Sequence, residues 1–147
     1  MKNIRWIGLI ALLAVCWYGL KPHFSPNTPA SVSTSQNITA MTDAQQVARW
    51  VHQHHQLPDF YLTKREARQR GWDPARGNLC EALPGHAIGG DRFSNREGRL
   101  PEQQGRRWFE ADVNYRCGHR EADRLLFSSD GLVFLTRDHY RTFTALP

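Results

Sequence analysis

One carboxylate, one histidine and several arginines in the second half of the chain are spaced for acid–base work on a phosphate. Glu110 lies in WFEADVNY (108–115). Period-two alternation there puts Trp108, Glu110, Asp112 and Asn114 on one face of a strand and Phe109, Ala111, Val113 and Tyr115 on the other. A carboxylate on a polar strand face can take a proton. His139 falls in a polar loop between the apolar run ending at Leu135 and the short segment 142–144. Its imidazole, with an ordinary pKa of ~6.5, can give and recover a proton near neutrality. Arg120 and Arg124 are expected near the start of one strand, where a planar guanidinium can clamp two phosphate oxygens. A base, an acid and cations are what a phosphodiester needs when a neighbouring hydroxyl attacks its phosphorus. By pattern alone, Glu110 reads equally as an acid on a solvated face, His139 as an ordinary loop histidine, and Arg120 and Arg124 as partners of Asp112.

The elements that would position these residues follow from local signals. Asp43 with Gln46 makes a capping-box start, and Ala44, Val47, Ala48 and Val51 recur at helical spacing. Leu57-Pro58 cannot continue that helix, so it should end near His54 or His55. Thr63 and Glu66 form a second capping box, with Gly71 as the stop. Asn78 is a candidate cap for a third short helix through Ala82. After Pro84-Gly85 the pattern turns to strands, and Ser128-Ser129-Asp130-Gly131 separates two apolar runs as a hairpin turn. Helices first and strands afterwards predict an α+β fold, with N-terminal helices packed on one face of a C-terminal antiparallel sheet.

The chain of 147 residues suits one domain, preceded by something else. Lys2 and Arg5 introduce an apolar run from Trp6 to Leu20, shorter than the ~20 residues of a typical membrane span. Residues 1–30 therefore read as a signal peptide or N-terminal signal anchor, 31–42 as a Ser/Thr-rich linker and 43–147 as the folded domain. Leu13-Ala14-Val15-Cys16 resembles a lipoprotein box with an unfavourable Val before the cysteine. The expected location is secreted or periplasmic, with membrane attachment only through an uncleaved or lipidated leader. The leader holds three of the 19 basic residues and none of the 14 acidic ones, leaving 16 against 14 and a net +2 for the rest. That balance excludes a blanket polycation; nucleic-acid binding would need a local cluster. His52, His54 and His55 suggest a metal cluster at first sight, but no third ligand is evident, and histidines at a helix C-terminus suit its dipole.

Four segments carry a resemblance: IGGDRFSNREG (88–98), WFEADVNY (108–115), DRLLFSSD (123–130) and RDHYRTFT (137–144). From about Val47 to Phe143, nearly without gaps, the chain resembles the barnase-like bacterial guanyl-preferring ribonucleases. The resemblance implies the same α+β architecture, Glu110 as general base and His139 as general acid, with Tyr140 packing beside the substrate. It implies phosphate binding by Lys64, Arg120 and Arg124. Guanine would be read by Phe93, Ser94, Asn95 and Arg96, largely through their main chain, and by the Glu97 carboxylate. The implied substrate is single-stranded RNA, cut 3′ of guanosine by a monomer without metal or cofactor, and a barstar-like acidic inhibitor is a possible partner. Cys80 and Cys117 match positions that lie close together in that fold, and an exported domain makes them an expected disulfide. Gly131 and His119 depart from the family, which often has tryptophan and another aromatic residue there. The rival reading is a catalytically silent RNA- or inhibitor-binding module of the same fold, anchored by its leader. The intact Glu110/His139 pair speaks against it.

Overall fold

Asp43 starts the first long helix with its carboxylate, which accepts the backbone N–H of Gln46 at 2.9 Å. Helix α1 spans Ala44–His54 and buries Ala44, Val47, Ala48 and Val51, one stripe at 3.6-residue spacing. His55 closes it in the left-handed region, φ 55°, returning its N–H to the Val51 carbonyl. Thr63 and Glu66 cap α2 (Lys64–Gln69) reciprocally, as the sequence predicts. Helix α3 spans Leu79–Ala82, but the Asn78 side chain does not cap it. That amide accepts from the Asp73 N–H at 2.7 Å and donates to the Gly71 carbonyl at 3.1 Å, clasping the loop after α2.

The computed structural model describes residues 37–147; the expected leader and linker residues 31–36 lie outside them. The far end of the expected linker needs correction. Residues 37–41 are helical, and Ile38 and Thr42 are fully buried. The Thr42 hydroxyl donates to the Ile38 carbonyl at 2.8 Å and accepts the Tyr115 N–H at 3.0 Å. One isoleucine among polar residues has no periodicity to announce it, so the core reaches further back than Asp43. Among the described residues no helix is long and apolar enough to cross a membrane.

Six strands follow one another in sheet order: β1 (Tyr61–Leu62), β2 (Ala87–Phe93), β3 (Trp108–Asp112), β4 (Arg124–Ser128), β5 (Val133–Thr136) and β6 (Thr144–Ala145). The β1–β2 pairing is parallel and the others are antiparallel. The β2 register slips between Gly89 and Asp91. A Cβ on Gly89 would lie 2.6 Å from the Tyr61 ring and 2.8 Å from the Ala111 Cβ, so only glycine lets β1 and β3 close on β2 there. The predicted hairpin forms between β4 and β5. Gly131, at φ +99° with open space beside it, takes a backbone conformation that an aromatic residue would strain to adopt.

The sheet is covered on both faces. Helix α1 packs with Ala111, Leu125, Phe127, Val133 and Leu135 in the main core. The opposite face carries a second cluster of Leu100, Trp108 and Leu126, flanked by Phe93, Phe134, Tyr140 and Phe143. Glu110 and Asp112 share this second face, yet are only 6% and 2% exposed; the solvated polar face that alternation suggests is in fact roofed. Asn114 is not on the strand face. At φ 54° it turns off the strand, a conformation asparagine tolerates. Its side chain accepts the Ala44 N–H and donates to Asp123.

Cys80 on α3 and Cys117 are disulfide-bonded, with Cα atoms 5.6 Å apart across a separation of 37 residues. Closing a loop of that length restricts the unfolded chain. Cys117→Ser should therefore cost about 2–4 kcal/mol, and reduction of the wild type should cost the same. Urea unfolding with and without reductant reads both; coincident midpoints would show that the bridge contributes nothing.

Candidate active site

Glu110 occupies the middle of β3, opposite Asp91 on β2 and Leu126 on β4. Its Oε1 accepts from Lys64 Nζ at 3.1 Å and its Oε2 from the Tyr140 hydroxyl at 2.7 Å. Lys64 opens α2, and its backbone N–H donates to the Asp91 carboxylate at 3.0 Å, so the helix start is fastened to the neighbouring strand. A carboxylate this buried needs such partners to offset its lost hydration. Burial, and then the negative charge of Glu110, push the Tyr140 phenol well above its ordinary pKa. Tyr140 therefore stays a donor through the physiological range.

Asp112, two residues on, collects the arginines. Arg120 binds it with both prongs, Nε to Oδ2 and Nη2 to Oδ1, each at 2.7 Å. Arg124 stands directly across from Asp112 on β4, with Nε 3.0 Å from Oδ1. That approach is not aligned as a hydrogen bond; Nη1 instead donates to the carbonyls of Glu121 and Asp123. Burial, the largest single effect, works against the Arg120 charge, but the hydrogen bond to Asp112 together with the charges of Asp112 and Glu110 outweighs it, and the pKa is raised. Of the two arginines, Arg120 keeps the more open side chain, 21% exposed against 4%. Both belong to Asp112 in this structure.

The same row of the sheet continues to the histidine. Arg124 faces Thr136 on β5, whose hydroxyl donates to Asp138 at 2.9 Å and accepts the Tyr140 N–H at 3.0 Å. Asp138 also accepts from the N–H groups of Arg141 and Thr142 and from the Thr142 hydroxyl. These donors, the Thr142 hydroxyl foremost, lower its pKa to about 2. His139 and Tyr140 both lie in the left-handed region, φ 55° and 71°, which bulky residues avoid. The Asp138 hydrogen bonds hold them there. The exposed His139 ring rests against Tyr140 with centroids 4.8 Å apart.

A cavity of about 500 Å³ opens between this loop and the one after β2, lined by residues that include Phe93, Ser94, Arg96, Glu97, His139 and Tyr140. Phe93 stacks on Tyr140 at 5.2 Å, so the two loops share a wall. Asn95 also lines the cavity, but its side chain is spent on its own loop. It accepts the Leu100 N–H and donates to the Leu100 carbonyl and the Glu102 carboxylate. The Glu97 carboxylate is exposed and pairs with Arg99 at 3.0 Å. Arg96 lines the cavity; among the described residues the cation paired with Glu110 is Lys64. His52 and His54 are engaged elsewhere, at the Leu146 and Trp50 carbonyls. His119 packs its backbone and ring against Gly77.

Three features escape the sequence reading. Tyr140 bonds Glu110 directly, a contact that packing beside a substrate does not suggest. Asp138 organises the histidine loop; an aspartate followed four residues later by threonine is the turn signal that could have revealed it. Besides Glu97, Arg99 has two carbonyl partners 41 and 42 residues away, beyond any local signal.

Asp138 carries a pH dependence whose sign is fixed. Its pKa falls from 3.8 to about 2 in the folded state, so its hold on the loop is complete above pH ~4 and is lost as pH falls through about 2. Asp138→Asn should loosen the loop even at neutral pH. Hydrogen exchange at Arg141 and Thr142 should be fast in that variant and slow in the wild type. Equal protection would show that something else holds His139.

The arrangement offers a buried carboxylate held by the Tyr140 hydroxyl, an exposed imidazole against the same ring, and a cavity beside them lined by Arg96, Arg99 and Arg141. Residues 44–147 match a family model described as ribonuclease. A ribonuclease of Bacillus pumilus is 46% identical over 145 residues, covering 97% of this chain and 90% of that protein. A ribonuclease of Bacillus intermedius is 55% identical over 100 residues, 68% of this chain and 62% of that protein. One from Heyndrickxia coagulans is 54% identical over 100 residues, 68% of this chain and 92% of that protein. The chain belongs to the barnase-like microbial ribonuclease family, and RNA is its substrate.

Proposed function

We propose that this protein is an exported endoribonuclease that cuts single-stranded RNA 3′ of guanosine, with Glu110 as general base and His139 as general acid. The observation that carries the reading is the placement of both groups on Tyr140: its hydroxyl holds the Glu110 carboxylate and its ring meets the His139 imidazole.

Glu110 takes the 2′-hydroxyl proton as that oxygen attacks phosphorus, and protonated His139 gives its proton to the departing 5′-oxygen. The product is a 2′,3′-cyclic phosphate. In the slower second step His139 takes a proton from water, Glu110 returns one to the 2′-oxygen, and a 3′-phosphate results. Because the 2′-hydroxyl is the nucleophile, DNA is not cut. Lys64 and Arg120 meet the charge that builds on the phosphorane, while buried Arg124 contributes its field from behind. Base, acid and cations all come from the chain, so the reaction needs no added metal.

Guanine offers N1–H and N2–H₂ as a pair of donors, which the exposed Glu97 carboxylate suits, and O6 as an acceptor for main-chain N–H groups of the 93–97 loop. The Asn95 clasp leaves that loop presenting its backbone. Export follows from the basic and apolar leader and agrees with a disulfide that needs an oxidising compartment. The enzyme acts as a monomer, and the cations around the cavity suit an acidic inhibitor of the barstar type.

Glu110→Gln keeps the shape and loses the base, so cyclic-phosphate formation should fall by ~10²–10⁴ while RNA binding stays within a few-fold. His139→Ala should impair both steps. Near-normal transesterification in either variant would remove that residue from its role. Glu97→Gln replaces one acceptor by a donor, so the ratio of guanosine to adenosine cleavage should fall. An unchanged ratio would move base recognition out of this loop.

A further inference from the structure

Arg99 has no part in these steps, yet its side chain joins the two loops that form the cavity. Nη1 donates to the main-chain carbonyls of Tyr140 at 3.1 Å and Arg141 at 2.7 Å. Nη2 lies 3.0 Å from the Glu97 carboxylate. One guanidinium thus holds the histidine loop with one nitrogen and the base loop with the other, a geometry that its rigid planar fork permits and a single ammonium does not. Arg99 and Glu97 are 46% and 71% exposed, so the ion pair adds little to stability. Its consequence is geometric. The carbonyls that Arg99 grips are those of Tyr140 itself and of the residue after it, and the Tyr140 side chain in turn fixes Glu110 and abuts His139.

We propose that Arg99 is a positioning residue that couples the base bound at Glu97 to the placement of His139 and Tyr140. The inference rests on the reading of Glu97 as the carboxylate that receives guanine's donors. With Glu97 empty, the guanidinium is shared between the carboxylate and the two carbonyls, and a base without those donors leaves it shared. Guanine satisfies the carboxylate with its own N–H groups, and Arg99 then leans on Tyr140 and Arg141 and tightens the catalytic loop. By linkage, a well-placed catalytic loop favours guanine to the same degree. Specificity would therefore appear in kcat as well as in KM.

The test compares guanosine- and adenosine-led dinucleotides with the wild type, Arg99→Met and Arg99→Lys, each first shown to melt with the wild type. In Arg99→Met the guanosine-to-adenosine ratio of kcat should fall by ~5-fold or more, the lower range of such couplings, while the KM ratio still favours guanosine. Arg99→Lys should resemble Arg99→Met, because one ammonium nitrogen cannot stand where two guanidinium nitrogens now meet the carbonyls and the carboxylate. In a Glu97→Gln background, Arg99→Met should change the kcat ratio no further. An unchanged kcat ratio, an equal loss of kcat for both bases, or full recovery with lysine would each overturn the coupling. Should Glu97→Gln by itself keep the guanosine preference, the reading of Glu97 fails, and the coupling with it. Loss of preference in Glu97→Gln with an unmoved kcat ratio in Arg99→Met defeats the coupling alone.

Discussion

Asp112 buries a carboxylate, 3% exposed at its side chain, in the strand that also carries Glu110, and the cationic side of the site is fastened to it. A charge there demands partners, and Arg120 and Arg124 supply them from the loop and the strand that follow. Its backbone carbonyl accepts the Tyr61 hydroxyl at 2.7 Å, tying the same residue to β1. The Tyr61 phenol is pushed well above its ordinary pKa, by burial first and by Asp112 second. The Tyr115 phenol is raised to about 12 for the same two reasons. Without Asp112, the Arg120 and Arg124 guanidiniums would lose their shared carboxylate, a loss that in buried pairs typically costs about 3–5 kcal/mol.

From that point the site is laid out along the sheet. Asp112, Arg124 and Thr136 are register neighbours on three successive strands, and Thr136 hands the row to Asp138 and so to the histidine loop. Glu110 lies one alternation back on the same face. Helix α1 covers the other face and leaves this one to the small apolar cluster and the cavity. The disulfide holds the segment that leads into Arg120, three residues after Cys117, and the Tyr115 hydroxyl pins the same segment at the Gly118 carbonyl. Strands and a helix start thus carry Glu110, Asp112, Arg124 and Lys64, the disulfide steadies the loop that brings Arg120, and the cavity walls are loops.

Much of this was legible in the chain. Capping residues Asp43 and Thr63 mark where two helices begin, and strand parity puts Glu110 and Asp112 on one face. The roles expected of His139, Lys64 and Glu97 came from family resemblance, because a loop histidine or a turn glutamate has no local signature of chemistry. Strand β2 was hidden by Gly89-Gly90, which break the alternation where the chain bulges. Ile38 was hidden among polar residues. Asn78 looks like a cap and acts as a loop clasp, since the same amide chemistry serves either purpose. Long-range contacts such as Arg99 to Tyr140 depend on how two loops meet, which spacing along the chain does not encode.

The central claim is that Glu110 and His139 cleave RNA through its own 2′-hydroxyl. Product analysis on a guanosine-led RNA dinucleotide, with purified wild-type protein in EDTA, tests it most directly. Guanosine 2′,3′-cyclic phosphate should appear first and 3′-phosphate should follow more slowly, while the 2′-deoxy analogue stays intact. Release of a 5′-phosphate, cleavage of the deoxy analogue, or activity that disappears with EDTA and returns with added metal would contradict the account.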